Sequence, residues 1–284
     1  MTSVQMPKCW ADVELVLNKG IDRVILFGPP GTGKTFAGLN FGDVTAGSHR
    51  LICTDDMTNA DVTGMMLQTE NGTLRWSHGK ALKAWIGNGQ RGGRLVVDEI
   101  DKAGADVYAT LLAMTDSEDS SEWENDLTGE KFKPNPGFSV VMTTNIEDMD
   151  DLPDALKDRF PVAIRIDQPH PQALMRISQD LRGYAIRMAD AGMQRISLRT
   201  FMAFDQLRKE SDEETAARII FKQRSKEILE AIKIDRISIA KTAATATGVV
   251  EIPKTIPTAG SVTTVKRGRG RPRKDAPSTS TEPF

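Results

Sequence analysis

Short runs of apolar and β-branched residues recur along the chain at RVILF (23–27), RLICT (50–54), RLVVD (94–98), FSVVMTT (138–144) and VAIRI (162–166). Near-continuous apolar runs are what strands buried on both faces require, and the intervals between them are long enough for helices. The pattern predicts an α/β fold with a parallel sheet sandwiched by helices. Ahead of the first strand, the apolar positions of WADVELVLN (10–18) follow helical spacing and stop near Gly20, which predicts an N-terminal helix within residues 1–20. Two stretches interrupt the alternation and read as hairpins: MLQTENGTLRW, at about 65–78 with an Asn71-Gly72 turn, and a second that begins in DLTGEKF (126–132), with Gly129 near its turn, and extends over about 127–138.

From Pro169 to about Arg236 the period is helical throughout, so residues 168–240 are expected to form a small helical domain after the α/β core of 21–167. Residues 241–284 are rich in Thr, Ala, Gly, Pro and Ser with few large apolar groups. Such a segment cannot offset the entropy of ordering itself and is expected to be a disordered tail.

Composition narrows the class of molecule. With 39% hydrophobic and 27% charged residues the chain reads as a soluble globular protein, and no run approaches the roughly 20 apolar residues of a membrane span. The first residues lack the pattern of a secretory signal, so a cytoplasmic location is expected, with nucleoid or DNA association through the tail. Cys9 and Cys53 are too few for a disulfide framework, and His49, His78 and His170 show no ligand spacing. Of the formal net charge of −2, residues 266–274 contribute six positive charges, so the remainder carries −8. An acidic body bears a basic tip.

The strongest motif is GPPGTGKT, which matches the phosphate-binding loop G-x-x-x-x-G-K-[ST] and lies between an expected strand and helix. Gly28, Pro29, Pro30, Gly31, Thr32, Gly33, Lys34, Thr35 and Phe36 are therefore candidate nucleotide-binding residues. The glycines let successive N–H groups turn toward phosphate oxygens, and the following helix adds its positive end. Lys34 is expected to reach the β and γ phosphates of ATP, while the Thr35 hydroxyl binds Mg²⁺. LVVDEID (95–101) supplies the complementary half. A buried strand ending in Asp-Glu brings two carboxylates to the sheet edge where phosphates lie, Asp98 for Mg²⁺ and Glu99 to orient and deprotonate the attacking water.

In this order the motifs resemble an AAA+ ATPase. The resemblance implies that Asn145, ending the TTN segment (143–145), acts as sensor 1. It further implies that Arg159 of LPDALKDRF (152–160) is an arginine finger serving the ATP of a neighbouring subunit, and that Arg199 of SLRT (197–200) is sensor 2, with Arg195 and Arg208 as other arginines for that role. The two hairpins are most similar to those of the MoxR-like branch, which includes CbbQ, GvpN and CobS. That resemblance implies a ring, usually a hexamer, with ATP between subunits, and a von Willebrand factor A domain protein or another client as partner.

In the tail, Arg269-Gly270-Arg271-Pro272, flanked by Arg267 and Arg273, resembles an AT-hook. Glycine and proline keep such a backbone narrow, so that arginines can lie in the minor groove of A·T-rich DNA. The expected function is an ATP-hydrolysing ring that remodels a protein or nucleoprotein partner while tethered to DNA. Two other readings are a DNA-directed motor or loader in replication or recombination, and a nucleotide-switched DNA-binding scaffold.

Overall fold

The computed structural model describes residues 6–246, apart from 118 and 190. Helix α1 (Lys8–Asn18) leads into strand β1 (Arg23–Phe27), and the glycine-rich loop turns the chain into α2 (Lys34–Asn40). Strand β2 (Ser48–Ile52), the short α3 (Asn59–Val62), a hairpin of β3 (Gly64–Gln68) and β4 (Leu74–His78), and α4 (Lys80–Ile86) follow. Next come β5 (Arg94–Asp98), a 3₁₀ turn (Ile100–Lys102), α5 (Ala105–Met114), a second hairpin of β6 (Trp123–Glu124) and β7 (Lys131–Phe132), then β8 (Ser139–Thr143), α6 (Asp154–Arg159) and β9 (Val162–Arg165). The remainder is helical: α7 (Pro171–Leu174), α8 (Gln179–Ala189), α9 (Leu198–Glu210), α10 (Glu213–Phe221) and α11 (Ser225–Ala246).

The five apolar runs form one parallel sheet in the order β2-β5-β8-β1-β9. Side chains alternate across it with the period of two that a strand imposes. Val24, Leu26 and Val141 pack toward Trp10, Val13, Leu17 and Ala37 of α1 and α2. Ile25, Phe27, Leu95, Val97, Val140 and Met142 pack on the opposite face against Leu82 and Trp85 of α4 and Val107 and Leu111 of α5. The register sets Asp98 opposite both Ile52 and Thr143, so the ends of β5 and β8 lie side by side. Since β1 pairs with β8 as well, the loop after β1, the Asp98-Glu99 pair and the Thr144-Asn145 turn share one edge of the sheet.

The two hairpins lie far apart in sequence and pack together in space. Trp76 stacks on Trp123 with ring centroids 5.9 Å apart, Trp123 meets Phe132 at 5.8 Å, and His78 meets the edge of Phe132 at 5.4 Å. Aromatic pairs of this kind contribute about 0.5–1.5 kcal/mol each beyond area burial. Strand pairing in the second hairpin joins Trp123 to Phe132 and Glu124 to Lys131, so it ends with the DLTGEKF stretch and short of residue 138, where Pro134 and Pro136 cannot donate ladder hydrogen bonds, and its first strand starts ahead of that stretch. Gly129 occupies its loop with φ +68°. Helix α11 also continues to Ala246, past residue 240 where composition ended the helical segment, since alanine is the best helix former. Arg267, Arg269, Gly270, Arg271, Pro272 and Arg273 lie outside the described residues.

The helices after β9 have their own core, built from Leu181, Tyr184, Phe201, Phe204, Phe221, Ile228 and Ile232. A charge network ties four of them together. Arg208 on α9 meets Asp180 of α8 at 2.8 Å, Asp205 at 2.7 Å and Glu213 of α10 at 3.2 Å. Arg236 on α11 bonds Asp180 at 2.9 Å and pairs with Glu213. Hydrogen bonds from Arg208, joined by Arg236 against the opposing effect of burial, hold the Asp180 carboxyl down at about 2. Because the carboxyl is lower in the folded state, its contribution is complete above the ordinary carboxylate range and is lost as pH falls from about 4 through about 2. Asp180→Asn is expected to lower stability by about 2 kcal/mol at neutral pH. Thermal unfolding of both proteins along a pH series checks this, and the difference in melting temperature should shrink toward pH 2.

Candidate active site

The glycine-rich loop takes its shape from backbone that other residues resist. Gly28 has φ +114°, and a Cβ there would lie 2.8 Å from the carbonyl oxygen of Ile166. Gly33, also at φ +114°, precedes the first turn of α2 and faces the buried Trp10 ring. The loop thus wraps one side of a cavity of about 300 Å³ at the shared edge of the sheet, lined by residues 30–36. Gly28 and Pro29 lie behind that lining, and their carbonyl oxygens accept hydrogen bonds from Lys34 Nζ at 2.7 and 2.8 Å. Phe36 is half-exposed at the mouth and meets Phe41 edge-on.

Lys34 is 5% exposed. Burial pushes its ammonium down to about 8, Asp98 acts in the opposite direction, and the positive charges of Arg195 and Arg199 reinforce the fall. The positive charges of Lys34, Arg195 and Arg199 thus lie close enough to act on one another, a grouping that suits an anionic ligand.

Opposite the loop, β5 ends at Asp98, whose carboxylate is saturated by hydrogen bonds. Oδ1 accepts from Thr35 Oγ1 at 2.8 Å and from the Thr143 hydroxyl. Oδ2 accepts from Arg50 Nε at 3.0 Å and from a second guanidinium nitrogen. Burial works to raise the Asp98 carboxyl, but the bonds from Thr143, Arg50 and Thr35 outweigh it and keep the group below its ordinary value. The Thr35 hydroxyl and the Asp98 carboxylate are hard oxygen donors within bonding distance at the cavity wall, a donor set that suits Mg²⁺.

Glu99 follows in the left-handed region at φ +59°, one of the sparsely populated conformations that concentrate at functional sites. The turn swings the chain off β5 into the 3₁₀ segment and leaves the carboxylate beside the cavity. Glu99 Oε2 pairs with Lys102 Nζ at 3.0 Å, and Oε1 accepts from Asn145 Nδ2 at 3.4 Å. Asn145 Oδ1 in turn accepts from Lys34 Nζ at 3.2 Å. One amide thus bridges the lysine of the loop and the second carboxylate of β5.

The three arginines weighed for sensor 2 separate clearly. Arg199, in the first turn of α9, lines the cavity from the helical side together with Leu198 and Met202. Arg195 adds its charge to the field at Lys34, whereas Arg208 is engaged in the helical charge network. Arg159 does not line this cavity. Its Nη1 donates to Ala155 O at 3.0 Å, and its Nε lies 3.7 Å from Asp116 Oδ2. Sequence reasoning missed Arg50, Thr143 and Lys102. No motif marks Arg50, which meets Asp98 only because β2 pairs with β5.

Residues 23–160 match the family model of the AAA domain, dynein-related subfamily. This segment has the fold of an AAA+ P-loop domain. Its fold recurs in NtrX from Brucella abortus in complex with ATP, at 13% identity and a TM-score of 0.50, over 73% of this chain and 52% of that one. An ATPase candidate from Cytophaga hutchinsonii aligns at 18% identity and a TM-score of 0.41, over 70% of this chain and 56% of that one. The chain spans about half the length of these solved structures, and at 13% identity the likeness to NtrX is one of fold alone. No curated protein matches the sequence. Among the described residues no helix is long and apolar enough to cross a membrane.

Proposed function

We propose that this AAA+ domain hydrolyses ATP within a ring of identical subunits and remodels a protein or nucleoprotein partner, in the manner of the MoxR-like branch. The observation that carries the proposal is the convergence of Lys34, Thr35, Asp98, Glu99 and Arg199 around one cavity, with Asn145 linking Lys34 to Glu99. The loop N–H groups and Lys34 bind the phosphates, and Leu198 and Met202 offer an apolar wall to the rest of the nucleotide. Thr35 and Asp98 would hold Mg²⁺, which when bound neutralises charge on the phosphate oxygens. Glu99 takes the proton of the attacking water, with Asn145 keeping its carboxylate aimed at the γ-phosphate position.

Because Arg159 does not line its own cavity, we assign it to the site of an adjacent subunit, where it offsets negative charge on the phosphoryl group in flight. The tail, with its AT-hook-like arginines, would tether the ring to A·T-rich DNA, and several tails on one ring would act through high effective concentration.

The reading predicts that the specific rate of ATP hydrolysis falls on dilution as subunits separate, and that Lys34→Ala lowers ATP affinity at least tenfold, or by about 1.4 kcal/mol. Steady-state hydrolysis across protein concentrations and calorimetric titration of ATP check the two halves. A constant specific rate at every dilution would remove the ring, and unchanged ATP affinity in the variant would remove the loop assignment.

A further inference from the structure

Beside the first hairpin lies an open groove of about 410 Å³, on the order of a small-ligand pocket. It is formed by β3, β4 and the flank of α4, away from the nucleotide cavity. Arg75, His78 and Lys83 line it and no acidic residue does. Arg75 and Lys83 are exposed, and neither has a carboxylate within ion-pair distance among the described residues. The neighbouring hairpin behaves differently: Lys131 pairs with Glu122 and Glu124, and Lys133 with Glu122. The positive field extends beyond the groove, for His49 is held low by burial and then by Lys80 and Lys83. In a body whose charge outside the basic tip sums to −8, an unpaired cation cluster of this kind is a local reversal of sign that draws a polyanion to one place.

The other lining residues narrow the ligand. Gln68, Thr69 and Ser77 offer hydrogen-bonding groups, while Leu67, 49% exposed, and the half-buried Trp76 supply apolar surface. Stacking on Trp123 from the second hairpin braces the Trp76 indole. Cations that meet phosphates beside apolar and aromatic surface that meets bases are the pairing used to hold single strands. Each strand of the hairpin is five residues long, about 17 Å, so the groove is suited to a few nucleotides of one strand.

We propose that this groove binds single-stranded nucleic acid, with Arg75 and Lys83 on successive phosphates and Leu67 and Trp76 against the bases. The site is separate from the tail and independent of the ATPase reading. It would bring a displaced strand against the two joined hairpins.

The test uses the full chain and its Arg75→Gln/Lys83→Gln variant, with a fluorescein-labelled oligothymidine followed by anisotropy over a salt series. Loss of two phosphate contacts should weaken oligothymidine binding about tenfold and make the slope of log K against log salt shallower by about 1.4. Binding of an A·T-rich duplex, which the tail serves, should be unchanged. Lys83→Glu, a single reversal at an exposed helix position, provides a second measurement should the double variant fold poorly, and it should weaken the same probe. Equal oligothymidine affinity and slope in wild type and variants would overturn the proposal. Displacement of oligothymidine by polyglutamate at matched charge would overturn it in favour of an acidic peptide site. Neither readout requires ATP turnover, so failure of the ATPase reading leaves the result interpretable.

Discussion

Glu99→Gln is expected to lower ATP turnover by about 10²–10⁴, the range associated with loss of a positioned general base, while leaving ATP bound. Glutamine keeps the volume and can still accept from Asn145, so Lys34, Thr35 and the loop should remain in place. What it loses is the capacity to take a proton, together with the negative charge that Lys102 now balances at 3.0 Å. The variant should therefore accumulate in the ATP-bound state and favour the assembled ring. Single-turnover hydrolysis beside equilibrium ATP binding separates the two effects. Turnover at the wild-type rate would strip Glu99 of its role, whereas joint loss of binding and turnover would make it a structural residue of the loop.

Replacing Arg159 should cost about 10³–10⁵ in turnover, as expected for a finger that stabilises charge on the transferring phosphoryl group. The effect should have a signature that no residue of the same subunit's site can produce. Arg159 is absent from the lining of its own cavity and rests against Ala155 and Asp116, so Arg159→Ala leaves the ATP cavity of its own subunit intact. Mixing Arg159→Ala subunits with Glu99→Gln subunits should restore part of the activity, because some sites then combine an intact Glu99 with an intact Arg159 from the neighbour. Two inactive preparations that stay inactive when mixed, given that each still assembles, would place Arg159 outside the reaction. Fluorescence labelling that reports subunit exchange supplies that control.

The division between what is legible in one dimension and what requires three follows from how each group acts. The phosphate-loop candidate could be read from the chain because its function depends on local backbone: glycines at close intervals, with a lysine and a hydroxyl at the start of a helix. The parallel sheet could be read for a similar reason, since strands buried on both faces must be apolar along their length, and all five expected runs enter it. The turn of the second hairpin was legible at Gly129, but its first strand was not, because Trp123-Glu124 is too short to show a strand pattern.

Folding alone decided which distant side chains meet. Arg50 reaches Asp98 because β2 and β5 are paired in parallel register, and Thr143 reaches the same carboxylate because β8 lies on the other side of β5. The SLRT resemblance nominated Arg199 but left Arg195 and Arg208 open, and packing placed Arg199 at the cavity and bound Arg208 into a network across four helices. Trp76 and Trp123 belong to separate hairpins until the core brings their rings into contact. Motifs record chemistry confined to a few successive residues, whereas a carboxylate's partners and a cation's freedom from partners depend on strand order and register, which emerge only when the whole apolar pattern is buried at once.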